Sequence, residues 1–404
     1  MKIAFVSGLY PPAIVGGAEI VLQELAEGVR DRGHDVLVLT TKEGGCIERD
    51  VLNGVSVIRV PIRNIYWHGS KSPRKLWKKM IWHAMDSVNL RMLAIARGIL
   101  KEERPDAMNV HVTEGWSAGV LAVGKSLGIP TVQVLHSANF ICPNSNMCRN
   151  ERNCVTQCIS CRVLRVAHRS ISNNADAVVG VSQFVLDRHL SAGYFTQAKR
   201  RLAIHNARNL NVADIEPFPR GTGEQRKFVF GYIGSVNRVK GVAILIEEFL
   251  SLSDTNAELW IAGRGQAEYE EELKRRFANP RVRFLGYQKQ ADFFPGIDAL
   301  VVPSVCQDTL PTVVPEAFAF GLPVIGARRG GIPEMITDGR NGRLFEPGNR
   351  GELSAIMTRF LQGEEDLDGM RRAVKESAND YLNVGGWVDK YIRLNSELIA
   401  SRGD

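Results

Sequence analysis

Short apolar strands alternate with helical stretches throughout the chain. Residues 2–8 have the pattern of a strand, Gly17 to Arg32 that of a helix ended by Gly33, and residues 35–40 that of the next strand. This order predicts a βαβ unit, in which consecutive strands run parallel. The sequence therefore predicts the α/β fold class, built from parallel sheets with helices on their faces.

The chain is too long for a single hydrophobic core. Its 404 residues are 44% hydrophobic and 24% charged, a globular composition, and chains of this length usually divide into two domains. Residues 210–226 are rich in proline, glycine and charge, so we expect them to link the domains. The N-terminus enters a strand without a basic leader, and no apolar run approaches the ~20 residues of a membrane span. We therefore expect a cytoplasmic protein.

The stretch 303–334 carries the pattern that most strongly indicates chemistry. The apolar run 298–303 before it is typical of a buried parallel strand, and a helix is predicted to begin near Val313. The first turn of such a helix presents free amides that attract phosphate. Asp308 in the loop and Glu316 in the helix are eight residues apart, so both could reach a ligand that carries hydroxyls beside phosphates. The stretch predicts a nucleotide-sugar site.

A second strand-to-helix turn in the same half contains two cations. Residues 228–234 have the pattern of a strand, and the turn that follows carries Arg238 and Lys240 before Gly241 and a helix. Cations at such a turn suit a diphosphate. The alternative is that both are solvated surface charges.

Two features of the first half predict ligand contacts. Gly16 and Gly17 stand at the start of the first helix, where a backbone can approach a ligand closely, although a tight turn alone would also explain them. His136 ends the predicted strand 129–136, and strand ends are where open α/β sheets place ligand groups. A lone histidine is more often structural, so both interpretations stay open at this point.

A basic segment, residues 61–104, interrupts the first half. It holds nine Lys or Arg residues and one acid, Asp86, between residues 63 and 101, a local excess of eight charges beside a net +7 for the whole chain. This composition suits a helix on an anionic membrane surface, or else a solvated basic face over a core stripe. Because the rest of the chain is near neutral, no nucleic acid is expected as a partner. The residues of interest are Trp67, Trp77, Trp82, Lys75, Lys78 and Lys79.

Five of the seven cysteines fall between residues 142 and 161. Four thiolates could close a tetrahedral zinc site, and the last two have the usual chelate spacing. Free thiols and a redox-active disulfide are the alternatives. Because dense cysteines in a reducing compartment favour metal over disulfides, we predict a structural zinc on four of the five, without a catalytic role. The five are Cys142, Cys148, Cys154, Cys158 and Cys161.

The motifs of the second half resemble the donor site of a known family. Asp308-x7-Glu316 is followed by Ala-Phe-Ala-Phe-Gly-Leu-Pro-Val-Ile and then by Gly-Gly-Ile-Pro-Glu, which is similar to the retaining family 4 glycosyltransferases of the two-domain GT-B fold. The chain departs from the family where Asp308-Thr-Leu-Pro311 replaces a glutamate and a Gly-Phe-Gly-like turn, and where Ser235 replaces an arginine. A shorter acid and a proline without an N–H remove reach and one donor, which affects the sugar that fits.

The resemblance implies roles for the matching residues. Glu316 would bind ribose hydroxyls, Asp308 would lie near the transferred sugar, and Lys240 would contact the diphosphate with Arg238 in place of the missing arginine. His136 would contact the donor sugar or its diphosphate, and with the two carboxylates it forms the implied catalytic set. The other implied donor-site residues are Gly16, Gly17, Thr309, Leu310, Thr312 and Val313.

The resemblance also implies the domain organisation and the activity. Two Rossmann-like domains, residues 1–212 for the acceptor and 213–380 for the donor, would face each other across a cleft, and the final helix, 381–404, would return to the first. The implied reaction is retaining transfer of a hexosyl group from a UDP- or GDP-sugar to a glycan or lipid-linked acceptor in lipopolysaccharide or exopolysaccharide biosynthesis. No cofactor is required for it, and the basic segment predicts a peripheral position on the inner face of the cell membrane. The alternatives are a nucleotide-sugar epimerase or hydrolase on the same fold and a non-catalytic membrane- or metal-binding scaffold.

Overall fold

The chain forms two compact units. The computed structural model describes residues 1–70, 74–149, 151–210, 227–253 and 256–402. Unit 1 consists of Met1–Met147, Cys154–Ala207 and Asn383–Asp404, and unit 2 consists of Cys148–Asn153 and Arg208–Leu382. The predicted linker, residues 210–226, lies outside the described residues from position 211 onward.

Unit 1 is built on an eight-stranded sheet. The strands up to residue 203 are β1 (Lys2–Val6), β2 (Asp35–Lys42), β3 (Glu48–Leu52), β4 (Val55–Pro61), β5 (Ala107–Val110), β6 (Thr131–Leu135), β7 (Cys148–Arg149), β8 (Arg152–Asn153), β9 (Ala177–Gly180) and β10 (Arg200–Ala203). The sheet has the order β10-β9-β6-β5-β1-β2-β4-β3, and its strands pair in parallel except that edge strand β3 runs antiparallel to β4. Asn53 and Gly54 join these two strands, both with positive φ, as a tight hairpin requires.

Helices cover this sheet. Those before residue 192 are α1 (Gly17–Asp31), α2 (Leu76–Ser87), α3 (Leu90–Glu103), α4 (Val120–Ser126), α5 (Ile159–Leu164), α6 (Val166–Ser172) and α7 (Gln183–Ser191). In α1, Val21, Leu22, Leu25 and Val29 are buried, because their helical spacing places them on one face.

Unit 2 is a second parallel α/β structure. Its strands are β11 (Phe228–Ile233), β12 (Ala257–Ala262), β13 (Val282–Gly286), β14 (Ala299–Val302), β15 (Val324–Ala327) and β16 (Gly342–Phe345). Its helices are α8 (Val242–Leu250), α9 (Ala267–Arg276), α10 (Gln290–Phe293), α11 (Val313–Ala319), α12 (Ile332–Met335), α13 (Glu352–Leu361) and α14 (Leu367–Leu382). The strand order is β13-β12-β11-β14-β15-β16, with every pair parallel. The α/β class predicted from the alternation is confirmed.

The last helix, α15 (Val384–Ala400), belongs to unit 1 by its contacts, because it packs against α1 and β5. Trp387, Val388 and Tyr391 on its apolar face are buried. Val388 lies so close to Gly28 of α1 that a Cβ there would come within 2.6 Å of the valine side chain. A small residue at position 28 is therefore what allows the two helices to approach.

The hairpin formed by β7 and β8 belongs to unit 2, although the chain on both sides of it belongs to unit 1. Cys148 of this hairpin forms a disulfide with Cys306. Contacts place this short segment with unit 2, whereas the sequence prediction assigned all of residues 1–212 to the first domain. Among the described residues, no helix is long and apolar enough to span a membrane.

Candidate functional site

Two loops of unit 2 follow the two central strands of its sheet. The loop after β11 passes through a 3₁₀ turn, Arg238–Lys240, into α8, and the loop after β14 leads to α11. β11 and β14 are neighbours, and the connections from them proceed in opposite directions along the sheet. Open α/β sheets bind ligands at the carboxyl ends of strands at such a point.

The two loops are in direct contact. The backbone N–H of Val305 donates to the carbonyl of Val239 at 3.0 Å. Gly241 has a φ of +75°, and a Cβ there would lie 1.9 Å from the carbonyl oxygen of Pro303. Position 241 therefore requires glycine, and this close approach brings the cationic turn against the loop that carries Asp308.

Lys240 and Asp308 form an ion pair where the loops meet. The side chain of Asn237 accepts a hydrogen bond from the Lys240 N–H at 3.0 Å, which fixes the turn. The Ser304 hydroxyl donates to Asp308 Oδ2 at 3.1 Å, which fixes the carboxylate. The Lys240 side chain is 35% exposed and that of Asp308 is 18% exposed. The pair is therefore oriented by its neighbours and still accessible to a ligand.

The Gly-Gly motif after β15 closes on the same carboxylate residue. The Gly331 N–H donates to the Asp308 carbonyl at 2.8 Å. Gly330 has a φ of +60°, and a Cβ there would lie 1.8 Å from the Asp308 carbonyl oxygen. The Gly330 N–H also donates to the Gln307 side chain. The two glycines hold the Asp308 backbone in place.

Glu316 lies on α11 and is 1% exposed. Arg208 Nη1 donates to its Oε1 at 3.2 Å, and Gln290 Nε2 donates to its Oε2 at 3.4 Å. Burial raises the pKa of Glu316, while the charge of Arg208 and the hydrogen bonds from Gln290 and Thr312 act in the opposite direction. Glu316 is thus held as a buried acceptor by a cation from outside its own helix.

The start of α11 lies between the two carboxylates in sequence. Thr312 is the N-cap residue, and its carbonyl accepts from the Glu316 N–H at 3.1 Å. Leu310 is buried, and Thr309, Thr312 and Val313 are half-buried. The Val314 N–H donates to the Pro311 carbonyl at 3.2 Å, and Pro315 has no N–H. This helix start therefore offers fewer donors than an ordinary first turn. The diphosphate contact assigned to these residues stays a prediction.

Arg238 is engaged elsewhere. Its guanidinium pairs with Glu272 at 2.7 Å and lies 4.6 Å above the ring of Tyr269. The turn therefore places Lys240, but not Arg238, against Asp308. The structure does not bring Arg238 into the position of a second diphosphate cation.

In unit 1, His136 follows β6 and contacts a second histidine at the end of the neighbouring strand β5. His111 Nδ1 and His136 Nε2 are 2.9 Å apart, so one ring nitrogen donates and the other accepts. Burial lowers the pKa of His136 to about 4 and that of His111 well below its usual range. Both rings are therefore neutral near pH 7. The donor contact assigned to His136 stays a prediction.

Burial lowers the pKa values of four further histidines of unit 1 to about 3 or 4. With His111 and His136, the set is His68, His83, His168 and His189.

Gly16 and Gly17 form the start of α1, with Gly16 as its N-cap. The carboxylate of Glu19 accepts from the N–H groups of Val15, at 3.3 Å, and Gly16, at 2.7 Å. Gly16 has an extended backbone rather than a left-handed one. The local geometry is that of a capped helix start, and the ligand contact of these glycines stays a prediction.

The cysteines do not gather as one metal site. Cys148 is joined to Cys306, outside the sequence cluster, so it cannot serve as a zinc ligand in this state. The Cys161 thiol donates to Cys142 Sγ at 3.9 Å, and burial raises the pKa of Cys161. No group of three or more metal-ligating side chains occurs in the part of the chain that the structure describes. With Cys148 in the disulfide, the structural zinc on four of the five cysteines stays a prediction for Cys142, Cys154, Cys158 and Cys161.

The three tryptophans of the basic segment have different environments. Trp82 is buried, with its indole N–H donating to the carbonyl of Tyr66 at 3.0 Å. Trp67 donates to Thr41 Oγ1 at 3.0 Å, and Trp77 is 54% exposed. The predicted contact with a membrane surface is therefore wrong for the buried Trp82, and for the exposed Trp77 it stays a prediction.

Several residues that complete these sites were missed by the sequence reasoning. Arg208 and Gln290 hold Glu316, Ser304 holds Asp308, and His111 pairs with His136. His111 could have been found, because it ends a strand just as His136 does. Nothing local marks Arg208, whose partner is 108 positions away in the sequence.

Comparison with known proteins agrees with this geometry. Residues 16–207 match the family model of the glycosyl transferase 4-like domain, and residues 227–363 match that of glycosyl transferases group 1. An uncharacterized 42.6 kDa protein in the cps region of Klebsiella pneumoniae is 26% identical over 399 residues, which cover 98% of this chain and 99% of the relative.

Solved structures show the same fold. Anabaena HepE in complex with UDP has a TM-score of 0.72 at 19% identity, covering 98% of this chain and 100% of the other. The lipopolysaccharide outer core galactosyltransferase WaaB, in its apo form, has a TM-score of 0.68 at 16% identity, with coverage of 98% and 100%. The chain therefore belongs to the group 1, or family 4, glycosyltransferases and has their GT-B fold of two Rossmann-like domains.

Proposed function

We propose that this glycosyltransferase moves a sugar from a nucleotide diphosphate sugar to a glycan or lipid-linked acceptor, with retention of the anomeric configuration. The observation that supports binding of the sugar donor is the accessible Lys240–Asp308 ion pair, which lies at the central loops of unit 2 next to the start of α11. A cation, backbone amides near a helix start and a carboxylate suit a diphosphate joined to a hydroxylated sugar.

Each of these groups has a role in the proposal. Lys240 leaves or shares its contact with Asp308 to bind the diphosphate, and Asp308 then accepts hydrogen bonds from the sugar. Glu316 accepts from the ribose hydroxyls, and the charge of Arg208 favours the ionised form of this buried carboxylate. A hydroxyl donates to a carboxylate through either oxygen, so both acids are chemically matched to a sugar nucleotide.

The proposed transfer needs no metal ion for its leaving group. Departure of a nucleoside diphosphate develops negative charge, which Lys240 and the amides of the α11 start can stabilise at fixed positions. Turnover should therefore persist in excess EDTA. Loss of turnover that Mg²⁺ or Mn²⁺ restores would contradict this part of the proposal.

The similar structures favour a UDP-sugar and a surface polysaccharide. HepE was solved with UDP and also with UDP-glucose. The K. pneumoniae relative lies in a cps region, and WaaB acts on the lipopolysaccharide outer core. We therefore propose a UDP-hexose as the first donor to test and a polysaccharide intermediate as the acceptor.

A surface of unit 1 supports an acceptor carried on a membrane. The stretch 75–90 exposes seven large apolar side chains and three lysines, and α5, which packs on α2, exposes Ile159 and Val163. Apolar side chains mixed with lysine match an anionic bilayer surface. We call this the amphipathic surface; its members on 75–90 are Lys75, Leu76, Trp77, Lys78, Lys79, Met80, Ile81, Met85, Val88 and Leu90.

The donor half is tested by thermal unfolding with a panel of UDP- and GDP-sugars, followed by turnover. A ligand at a hundred times its Kd should stabilise the protein by about 2.7 kcal/mol. NMR of the product should show the anomeric configuration of the donor. Absence of a shift with every nucleotide and nucleotide sugar would refute the proposal, and an inverted product would refute retention alone.

The membrane half is tested by co-sedimentation with vesicles. The parent should bind vesicles containing anionic phospholipid and not neutral ones, and 0.5 M salt should weaken binding because it screens the charge attraction. Changing Lys75, Lys78 and Lys79 to Glu should abolish binding and leave UDP affinity intact. A matched control changes Lys101, Lys125 and Lys199, which are also exposed in unit 1. Equal losses in both triple variants would point to net charge rather than to this surface.

A further inference from the structure

Unit 1 contains a cavity that the donor chemistry does not use. Its volume is about 670 Å³, and its walls come from the segment after Cys154, from α5 and α6, and from the end of α7. Cavities of this size hold small-molecule ligands. Four of its wall residues are arginines, Arg162, Arg165, Arg169 and Arg188.

The charge of these arginines is not neutralised by the cavity walls. No aspartate or glutamate lines the cavity, and none of the four arginines forms a salt bridge with a carboxylate among the described residues. Arg169 Nε donates to the Gly193 carbonyl at 3.2 Å, and Arg188 donates to the Cys154 carbonyl. These bonds orient the two guanidinium groups without removing their charge.

Arg165 is the innermost of the four and is 3% exposed. Its Nη1 contacts His168 Nε2 at 3.2 Å, and its buried Nε has no hydrogen-bond partner among the described residues. Burial lowers the pKa of Arg165, and the charges of Glu114 and Asp86 act in the opposite direction. The Arg165 Nε therefore remains a buried donor that a ligand in the cavity could use.

Apolar side chains adjoin this cationic cavity. Val155 and Val166, which line it, are 83% and 74% exposed, and Ile159 and Val163 of α5 are also exposed. Exposed valine and isoleucine are unfavourable in water unless something covers them. Arginine forks facing a cavity and an apolar rim beside it together match an anionic group attached to a hydrocarbon chain.

We propose that the cavity binds the phosphate or diphosphate of a lipid-linked molecule. The anion would lie among the four arginines, and the hydrocarbon chain would lie along the exposed apolar side chains Val155, Ile159, Val163 and Val166. This inference rests on the proposed function, because it names the chemical class of its acceptor. It assigns the anchoring phosphate of that acceptor to a site separate from the Lys240–Asp308 pair.

The test uses calorimetry on the full chain with saturating UDP, which occupies the donor site. The probes are farnesyl diphosphate, inorganic pyrophosphate for the charge alone and farnesol for the chain alone. Farnesyl diphosphate should bind more tightly than either of the others. The double variant Arg162→Ala, Arg169→Ala should weaken it at least about tenfold, since each removes a charge-assisted contact, whereas UDP affinity should not change.

Both substituted arginines are exposed, so the variant is expected to fold, and its thermal midpoint checks this. The control Arg91→Ala, Arg97→Ala removes two exposed arginines of α3 and should bind the probe as the parent does. Unchanged affinity in the first variant, or equal affinity for pyrophosphate and farnesyl diphosphate, would overturn the proposal. If farnesyl diphosphate binds but no nucleotide does, the cavity proposal is supported and the proposed function is refuted. If only nucleotides bind, the proposed function is supported and the cavity proposal is refuted.

Discussion

The Lys240–Asp308 pair predicts opposite effects for its two members on nucleotide binding. Lys240 is paired with Asp308, so a diphosphate must compete with this carboxylate for the lysine. Lys240→Ala should weaken UDP binding, and Asp308→Asn should strengthen it while turnover falls. A surface ion pair with no part in binding would give neither effect.

The magnitudes follow from the exposure of the pair. A charge-assisted hydrogen bond to phosphate contributes about 1.5–3 kcal/mol, so Lys240→Ala should cost roughly ten- to a hundredfold in affinity. Exposed ion pairs have interaction free energies of about 0–1 kcal/mol, and the two charges of a buried pair interact more strongly. With side chains 35% and 18% exposed, about 1 kcal/mol is reasonable, so freeing the lysine should tighten UDP binding roughly fivefold. Removing the repulsion between carboxylate and diphosphate acts in the same direction.

Isothermal calorimetry with UDP measures these effects, and a double-mutant cycle tests their cause. The gain from Asp308→Asn should largely disappear in the Lys240→Ala background, because the lysine is what the carboxylate withholds. Arg238→Ala is the matched control, since that arginine pairs with Glu272, and it should leave affinity within about twofold. Weaker UDP binding by Asp308→Asn would refute the competition argument.

Two further predictions concern buried groups. Glu316→Gln should lower turnover and cost about 2–3 kcal/mol of stability, because Arg208 loses its buried counter-charge; an unchanged thermal midpoint would contradict this. The six histidines named above should make the free energy of unfolding fall as pH falls from about 6.5 toward 4. The unfolded chain takes up protons there and the folded chain does not, which costs up to about 1.4 kcal/mol per pH unit for each histidine. The raised pKa values of Asp86 and Glu316 stabilise the folded chain as pH falls, but these two groups act against six histidines. A thermal midpoint at pH 5 equal to that at pH 7.5 would contradict the prediction.

The sequence predicted those parts of the molecule that local patterns encode. Apolar runs and glycine stops located the strands and helices, and the spacing of Asp308 and Glu316 located the two acids of the donor loop and helix. Gly330 was recognised only as part of a motif, and its positive φ and its approach to the Asp308 carbonyl give the physical reason for it.

The remaining features depend on contacts between distant residues. Arg208 and Glu316 are 108 positions apart, and no periodicity connects them. Trp82 lies inward because its indole N–H finds the Tyr66 carbonyl, whereas composition alone grouped it with the exposed Trp77. The hairpin containing Cys148 leaves unit 1 for six residues, which is too short a segment for composition to reveal.

The Cys148–Cys306 disulfide leads to a prediction about the donor loop. The bond links residues 158 positions apart, and Cys306 precedes Asp308 by two residues. Asn153 of the same hairpin donates to the Val305 carbonyl at 2.9 Å and accepts from the Gln307 N–H at 3.0 Å. The loop is therefore held by one covalent bond and two hydrogen bonds.

Removing the bond should destabilise the protein and weaken UDP binding. Closing a loop of this length restricts the unfolded chain by up to about 5 kcal/mol in the entropic model, and measured values are commonly 2–4. Cys148→Ser should therefore lower the thermal midpoint, whereas Cys46→Ser, at an exposed free cysteine, should not. Because Asn153 still holds the loop, the loss of UDP affinity should be smaller than that of Lys240→Ala, and adding Asn153→Ala should increase it. Alkylation of the native protein should modify neither Cys148 nor Cys306 before reduction; labelling of both without reductant would show that the hydrogen bonds of Asn153 alone position the loop.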